Sequence, residues 1–168
     1  MASDDATTTA TGTTTLDASF TEMSEILMPN DTNNLGRALG GSVLHWMDIC
    51  GAIAARRFCE GQVVTASMDH VDFTGAIDLG DIVTLEAYVF DTGRTSMDVK
   101  VNVSAERPSE GECQQTATSF FTFVALDEAE QPATVPDLDC PTTKQEGLRD
   151  LALEQRRARR MELAAALE

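Results

Sequence analysis

Lysine is almost missing from this chain. Only Lys100 and Lys144 carry it, and the rest of the 12 basic residues are arginine. Against them stand 28 Asp and Glu, which leaves a formal charge of −16 and a pI near 4.3. A surface so short of cations cannot track a phosphate backbone, so nucleic acid is excluded as a partner. Acidity with so little lysine points to a salt-rich interior. There molar salt shrinks the Debye length to about 3 Å and screens the self-repulsion. An acidic protein of a dilute cytoplasm is the rival reading.

Long apolar runs are missing too. No segment approaches the ~20 residues that a membrane span needs. The Thr-rich, acidic N-terminus lacks the basic and apolar regions of a secretory signal, so a soluble cytoplasmic protein is expected. The four cysteines (Cys50, Cys59, Cys113, Cys140) form no C-x-x-C and keep no ligand spacing with a histidine, so no metal site is predicted. Cys50 and Cys59 fall on one predicted helix, about 13 Å apart by rise, too far to bridge. Thiols in a reducing compartment follow. There is no internal repeat.

What is present concentrates between residues 28 and 58. A polar loop, Asn30 to Asn34, runs through Gly36 to the pair Gly40-Gly41, and a strongly apolar segment follows. Val43, Leu44, Trp46, Met47, Ile49, Cys50 and Ile53 go all round a helix, which is therefore expected to be largely buried. Asp48 interrupts it, and a buried carboxylate is costly unless it is paired or hydrogen-bonded. Carboxylates kept in such places are often functional. The glycine pair leaves the first helical turn bare, with unpaired N–H groups aimed at whatever approaches. A carboxylate and a donor site about 10 Å apart on one element suit acyl transfer, in which an oxyanion must be held and a water activated.

The 168 residues suit one domain with a real core. Residues 1–16, in which seven of the nine positions from Thr7 to Thr15 are threonine, are expected to be a disordered tail. The domain proper is placed at 17–136, with a first strand over about 19–28. Strands are predicted over 63–73, 81–91, 96–107 and 112–126. The third is the clearest: Met97, Val99, Val101 and Val103 share one face, and Ser96, Asp98, Lys100 and Asn102 the other. Phe121 and Phe123 are expected to point one way and Phe120 the other. Pro132, Pro136 and Pro141 mark a linker, and 137–168 ends in a helix over 143–167. One long apolar helix with a run of antiparallel strands predicts an α+β layout, a sheet wrapped round a helix.

Pro29, Asp31, Thr32, Asn33, Gly36, Gly40, Gly41 and Asp48, taken in order, resemble the pattern P-x-D-T-N-x-x-G-x-x-x-G-G followed by an acidic residue in an apolar helix. That pattern belongs to the hot-dog-fold acyl-CoA thioesterases, in the branch of cytosolic acyl-CoA hydrolases. Val63-Val64-Thr65, Gly80-Asp81, Arg94-Thr95-Ser96 and the run from Phe120 to Asp127 fit as well, so the resemblance spans about residues 20–136. Leu39 departs from it, because that position is often His or Phe in the family. The resemblance implies a hot-dog fold and hydrolysis of acyl-CoA to fatty acid and CoA, within fatty acid metabolism. It also implies a homo-oligomer whose smallest active unit is a dimer, usually a trimer of dimers.

It implies roles as well. Asp48 would be general base or nucleophile, and Asn33 would reach it from the partner protomer. Gly40 and Gly41 would polarise the thioester carbonyl. Thr65 and Arg94-Thr95-Ser96 would line the pantetheine channel. On the residues alone, each has a plainer reading: a structural carboxylate, a turn-forming Asn, a helix start needing close packing, a strand and its turn. The arginines of the last helix include Arg156 and Arg157, candidates for the CoA phosphates. Their plainer role is pairing within the helix with Asp150, Glu154 and Glu162. His45, one turn before Asp48, could tune it, and His70 sits among Asp69 and Asp72. No metal or organic cofactor is expected, since a thiolate leaves readily. A non-catalytic acyl-CoA-binding module is the alternative. A hydratase, with Asp48 and His45 as its acid–base pair, fits poorly because one helical turn misplaces the two groups.

Overall fold

A computed structural model describes residues 12–167. Its elements are β1 (Thr13–Thr15), α1 (Leu16–Ser19), β2 (Thr21–Ile26), α2 (Gly40–Cys59), β3 (Gln62–Met68), β4 (Asp72–Phe73), β5 (Ile82–Thr92), β6 (Ser96–Arg107), β7 (Glu112–Leu126), β8 (Asp137–Asp139) and α3 (Thr143–Ala166). Six strands make one antiparallel sheet in the order β2-β5-β6-β7-β3, with β4 added along β7. The sheet curls round α2, which packs against β2, β3, β5, β6 and β7.

Period-2 alternation fixes what faces the helix. Val83, Leu85, Ala87 and Val89 of β5 point inward together with Met97, Val99, Val101 and Val103 of β6 and with Phe121 and Phe123 of β7. They meet Val43, Trp46, Met47, Cys50, Ala54, Ala55 and Phe58, which fall at helical spacing along one stripe of α2. Gly51 lies on that stripe, where any larger residue would have to push the Phe123 ring aside. A Cβ there would stand 3.0 Å from the Phe123 ring and 3.4 Å from Val101.

The opposite, convex face carries a second apolar cluster of Leu16, Tyr88, Phe90, Phe120, Cys140 and Ala152, and α3 lies over it. Phe120 and its neighbours Phe121 and Phe123 therefore face opposite ways, as the alternation requires. Strands β5, β6 and β7 and helix α3 match the expected segments to within a residue or two.

Four expectations change. The strand expected over 63–73 is broken into β3 and β4, with residues 69–71 outside both. α2 is not buried all round, because the sheet covers only one side of it. Leu44, Asp48, Ala52 and Ile53 are half-buried, and Ile49 is exposed. The strand expected from residue 19 starts at Thr21 because Leu16–Ser19 closes a helical turn, in which the Ser19 hydroxyl donates to Leu16 O and accepts from Val89 N–H. Of the tail expected to lack structure, residues 1–11 lie outside the described residues. Thr13–Thr15, however, pair in parallel with Asp137–Asp139, since buried Leu16 anchors this segment in the convex cluster.

Candidate active site

The loop ahead of α2 is built by its own polar side chains. Thr32 Oγ1 donates to Pro29 O (2.8 Å), and Ser42 Oγ donates to Asp31 Oδ1 (3.0 Å), which holds a carboxylate at the positive end of α2. Gly36 takes φ +71°, the left-handed region that glycine enters at no steric cost. Asn33 Oδ1 accepts from the N–H groups of Leu35 (2.9 Å) and Arg37 (3.2 Å). Backbone N–H can only donate, so these two bonds fix the carboxamide: its oxygen faces the loop and its NH₂ faces outward. Asn33 can therefore donate a hydrogen bond to a visitor.

Asn33, Gly40 and Val43 share a cavity of about 230 Å³ with Arg37, Ala38, Phe73 and Ile77. It opens at the first turn of α2. Among the described residues no acceptor sits on the N–H of Gly40 or Gly41, whereas those of Ser42 and Val43 bond Leu39 O. A Cβ on Gly41 would meet nothing within 4 Å, and one on Gly40 would meet only the Phe73 ring, at 3.7 Å. Close packing does not demand this glycine pair, and what it leaves is open donors.

Asp48 stands two turns further along, outside that cavity. Sequence reasoning places it in the core, but the structure puts it on the half-open side of α2. Its partner is Thr65 of β3, whose Oγ1 donates to Asp48 Oδ1 at 2.7 Å. Thr65 pairs with Phe123 and so points to the same inner face of the sheet, toward the helix. The bond settles one carboxylate oxygen and leaves the other for a proton. The sequence singles out Thr65 only as a channel residue, and the strand pattern holds no sign of this contact.

Arg94, Thr95 and Ser96 close the β5–β6 hairpin at the same end of the sheet, since Ser96 and Met97 stand across β7 from Val124 and Phe123. Their backbone is partly engaged: Arg94 O accepts from Val135 N–H and Thr95 O from Ala125 N–H, both at 3.0 Å. The Arg94 side chain is exposed. His45 is exposed as well, and His70 Nε2 lies 2.8 Å from Asp72 Oδ1.

The reading of Arg156 as a phosphate ligand is corrected. Arg156 is buried on the convex face, with Nε on Asp69 Oδ2 (2.9 Å), Nη1 on Asp98 Oδ2 (2.7 Å) and Nη2 on Thr122 Oγ1 (3.2 Å). The plainer reading, pairing within the helix, also fails for it, because its partners lie outside the helix, on β6, on β7 and in the segment after β3. Arg157 is exposed beside it, on a groove of about 410 Å³ lined by Phe90, Asp98, Arg160 and Met161. Neither arginine lines the Asn33–Gly40 cavity.

Burial raises the thiols of Cys50, to about 12, and of Cys59, which keeps both protonated and inert. All four cysteines are free. No group of His, Cys, Asp and Glu able to hold a metal ion occurs among the described residues. No described helix is long and apolar enough to cross a membrane.

Residues 35–112 match the thioesterase superfamily. An uncharacterized acyl-CoA thioester hydrolase of Bacillus subtilis is 44% identical over 120 residues, which cover 71% of this chain and 69% of that one. The fold superposes on a hexameric acyl-CoA thioesterase with TM-score 0.81 and 37% identity, covering 91% of this chain and 98% of that one. It also superposes on an acyl-CoA hydrolase from Staphylococcus aureus in complex with butyryl coenzyme A, coenzyme A and coenzyme A disulfide, with TM-score 0.78 and 32% identity, covering 92% and 96%. Structures of that protein exist with alanine in place of one aspartate, one asparagine and one threonine. The chain belongs to the thioesterase superfamily, with the hot-dog fold of the acyl-CoA thioester hydrolases.

Proposed function

We propose that the protein hydrolyses acyl-CoA to a free fatty acid and CoA, with Asp48 acting on the thioester and Asn33 supplied by a second copy of the chain. One observation carries this reading. The outward NH₂ of Asn33 and the bare N–H groups of α2 share a cavity that Asp48, held by Thr65, does not line. A thioester whose carbonyl oxygen points at the Gly40 and Gly41 N–H groups would place the oxyanion where donors and helix dipole stabilise it. Asp48 takes the proton of the attacking water, and the C–S bond breaks to release CoA thiolate and fatty acid. Or Asp48 attacks the carbonyl itself, expels the thiolate, and leaves an acyl–Asp48 anhydride that water then cleaves to fatty acid and free Asp48. Asn33 orients the water or the thioester oxygen. No metal or organic cofactor is needed, because the thiolate leaves without one.

Two features support these residues. In the Staphylococcus aureus chain the intervals between the replaced asparagine, aspartate and threonine equal those between Asn33, Asp48 and Thr65. The half-open side of α2, with Leu44, Ile49 and Ile53, is also a face for a second copy to cover. The dimer is then the active unit, and we expect a trimer of dimers, a subunit number that matches the hexameric relative. Thr65, Thr95 and Ser96 line the pantetheine channel in this reading. Arg94 and Arg157, both exposed and without a carboxylate partner among the described residues, are our candidates for the CoA phosphates. A cytoplasmic setting, the cytosolic branch of the family, a role in fatty acid metabolism and adaptation to high salt complete the reading.

The test is thiol release from acyl-CoAs of short to long chain in molar KCl. Wild type should turn over, and Asp48→Asn and Asn33→Asp should not. Asn33→Asp keeps the acceptor that folds the loop and replaces the outward donor by a charged acceptor. Mixing the two inactive variants should restore about a quarter of the activity, the share of sites left intact in a two-fold dimer. Binding without thiol release by the wild type would instead establish an acyl-CoA-binding module. Full loss in the mixture would place both groups in one protomer.

A further inference from the structure

We propose that Arg107 is a positioning residue, holding the Asp78–Asp81 turn as the backing plate for the loop that presents Asn33. Its kinetic arm rests on the hydrolase reading; its structural arm does not.

Arg107 ends β6, far in sequence from the loop, yet its guanidinium gathers three carboxylates. Nε donates to Asp81 Oδ1 (3.2 Å), Nη2 to Asp81 Oδ2 (3.2 Å) and to Asp78 Oδ2 (2.6 Å), and Nη1 to Glu110 Oε2 (3.3 Å). The Asp81 side chain is 5% exposed, and Arg107 is the cation paired with it. Asp81 Oδ2 in turn accepts from Asp78 N–H (2.9 Å), which closes the turn.

That turn is bonded on both sides. On one side Gly80 N–H donates to Leu27 O (2.9 Å) and Leu27 N–H to Asp81 O (3.0 Å). On the other side lies the active-site loop: Ala38 N–H donates to Ile77 O and Leu79 N–H to Gly36 O, both at 2.9 Å, and Arg37 bridges to Asp78. Arg37 is also the residue whose N–H holds Asn33 Oδ1 and whose carbonyl accepts from Asn33 N–H (2.8 Å). A continuous chain of contacts thus runs from Arg107 through Asp81 and Asp78 to Arg37 and Asn33. A planar fork can bind several carboxylates at fixed angles, and a lysine cannot. None of these groups lines the cavity except Asn33 and Arg37, so Arg107 acts through the loop.

The experiment uses the whole protein with Arg107→Gln, Arg107→Lys and Asp78→Asn. Amide exchange is read at Leu35 and Arg37, whose N–H groups bind Asn33, and at Val99 and Val101 in the centre of β6. The expected result is faster exchange at the loop amides with the β6 amides still protected. With acyl-CoA, kcat should fall about 10- to 100-fold with KM changed only a few-fold, since ångström misplacement of an orienting group costs on that order. Arg107→Lys should recover part of the loss. Should Arg107→Gln fail to fold, Asp78→Asn, at a half-exposed position, carries the test. Unchanged loop exchange in every folded variant would overturn the proposal, as would loss of protection that spreads equally through β6. Faster loop exchange with kcat retained would overturn the catalytic half. A wild type that releases no thiol would sink the hydrolase reading, and loop exchange would still decide whether Arg107 holds the loop.

Discussion

On the concave face of the sheet α2 is fastened almost wholly by apolar contact, whereas on the convex face α3 is fastened by charge and polar contact as well. The concave contact sets Met47, Cys50, Ala54 and Phe58 against Leu85, Val99, Val101 and Phe123, with Gly51 allowing close approach. On the convex side Arg156 reaches Asp69 and Asp98, Arg159 lies 5.6 Å over the Phe120 ring, and Tyr88 OH donates to Leu148 O at 3.1 Å. Apolar packing asks nothing of the chain's few cations, so the concave face can leave Asp48 and the α2 N-terminus open for chemistry. The convex face takes up arginines of α3. In a chain of charge −16, a basic cluster on one helix reads as a ligand site until its partners on the sheet are seen.

The comparison breaks most sharply at Asp48. Asp48→Asn leaves the packing of both faces intact and should lower kcat about 10²- to 10⁴-fold, the range of general acid–base catalysis. An unchanged melting temperature beside that loss would separate chemistry from stability. Phe123→Ala strikes the apolar side: the ring is fully buried against α2, and its removal should cost about 3–5 kcal/mol in denaturant unfolding. Gly51→Ala probes the same contact from the helix and should cost about 1–3 kcal/mol through overpacking. A cost near zero would mean that the Phe123 ring gives way freely.

Much of the concave face was legible from the chain because period-2 alternation in β6 and β7 and helical spacing in α2 are local signals. Met97 to Val103 and the split of Phe120 from Phe121 and Phe123 needed no knowledge of neighbours. The loop motif from Pro29 to Gly41 was readable through its resemblance to a family pattern, while the bonds that shape it, such as Ser42 to Asp31, were not. What stayed hidden were contacts closed by topology. Thr65 meets Asp48 only after β3 joins β7, and Arg156 meets Asp69 and Asp98 only after α3 crosses the sheet. The burial of Asp48 was misjudged because apolar residues all round a helix do not say which of them a single sheet will cover.

The charge-held side should yield to Arg156→Met. The thioether keeps much of the packing but leaves Asp98 without its cation and Asp69 with only the exposed Arg160, at 3.5 Å; each carboxylate is about a quarter exposed or less. Because water still reaches both carboxylates, the expected cost is about 1–3 kcal/mol rather than that of a fully buried pair. Exchange should quicken in α3 before β6. A variant as stable as wild type would mean that the apolar cluster of Leu16, Tyr88 and Phe120 alone secures the helix.

Lys100 should show the smallest effect, and of the opposite sign. It is 4% exposed on the convex face, between Tyr88 and Phe120 in register, with no carboxylate bonded to it among the described residues. Burial, and then the charge of Arg159, lowers its pKa from the ordinary lysine value. Between the folded and unfolded pKa values the unfolded chain binds more protons, so stability rises with pH across that window; below it the folded state carries the full cost of a poorly solvated ammonium. Lys100→Met should therefore stabilise the protein at pH 7 by about 0.5–1 kcal/mol, since it removes a charge without a partner and keeps the stem's packing. The gain should shrink as the pH climbs toward 10. Melting temperatures of both proteins at pH 7 and pH 10 decide it: a methionine variant less stable at pH 7 would show that the ammonium is satisfied where it stands, and that the convex face holds α3 with lysine as well as with arginine.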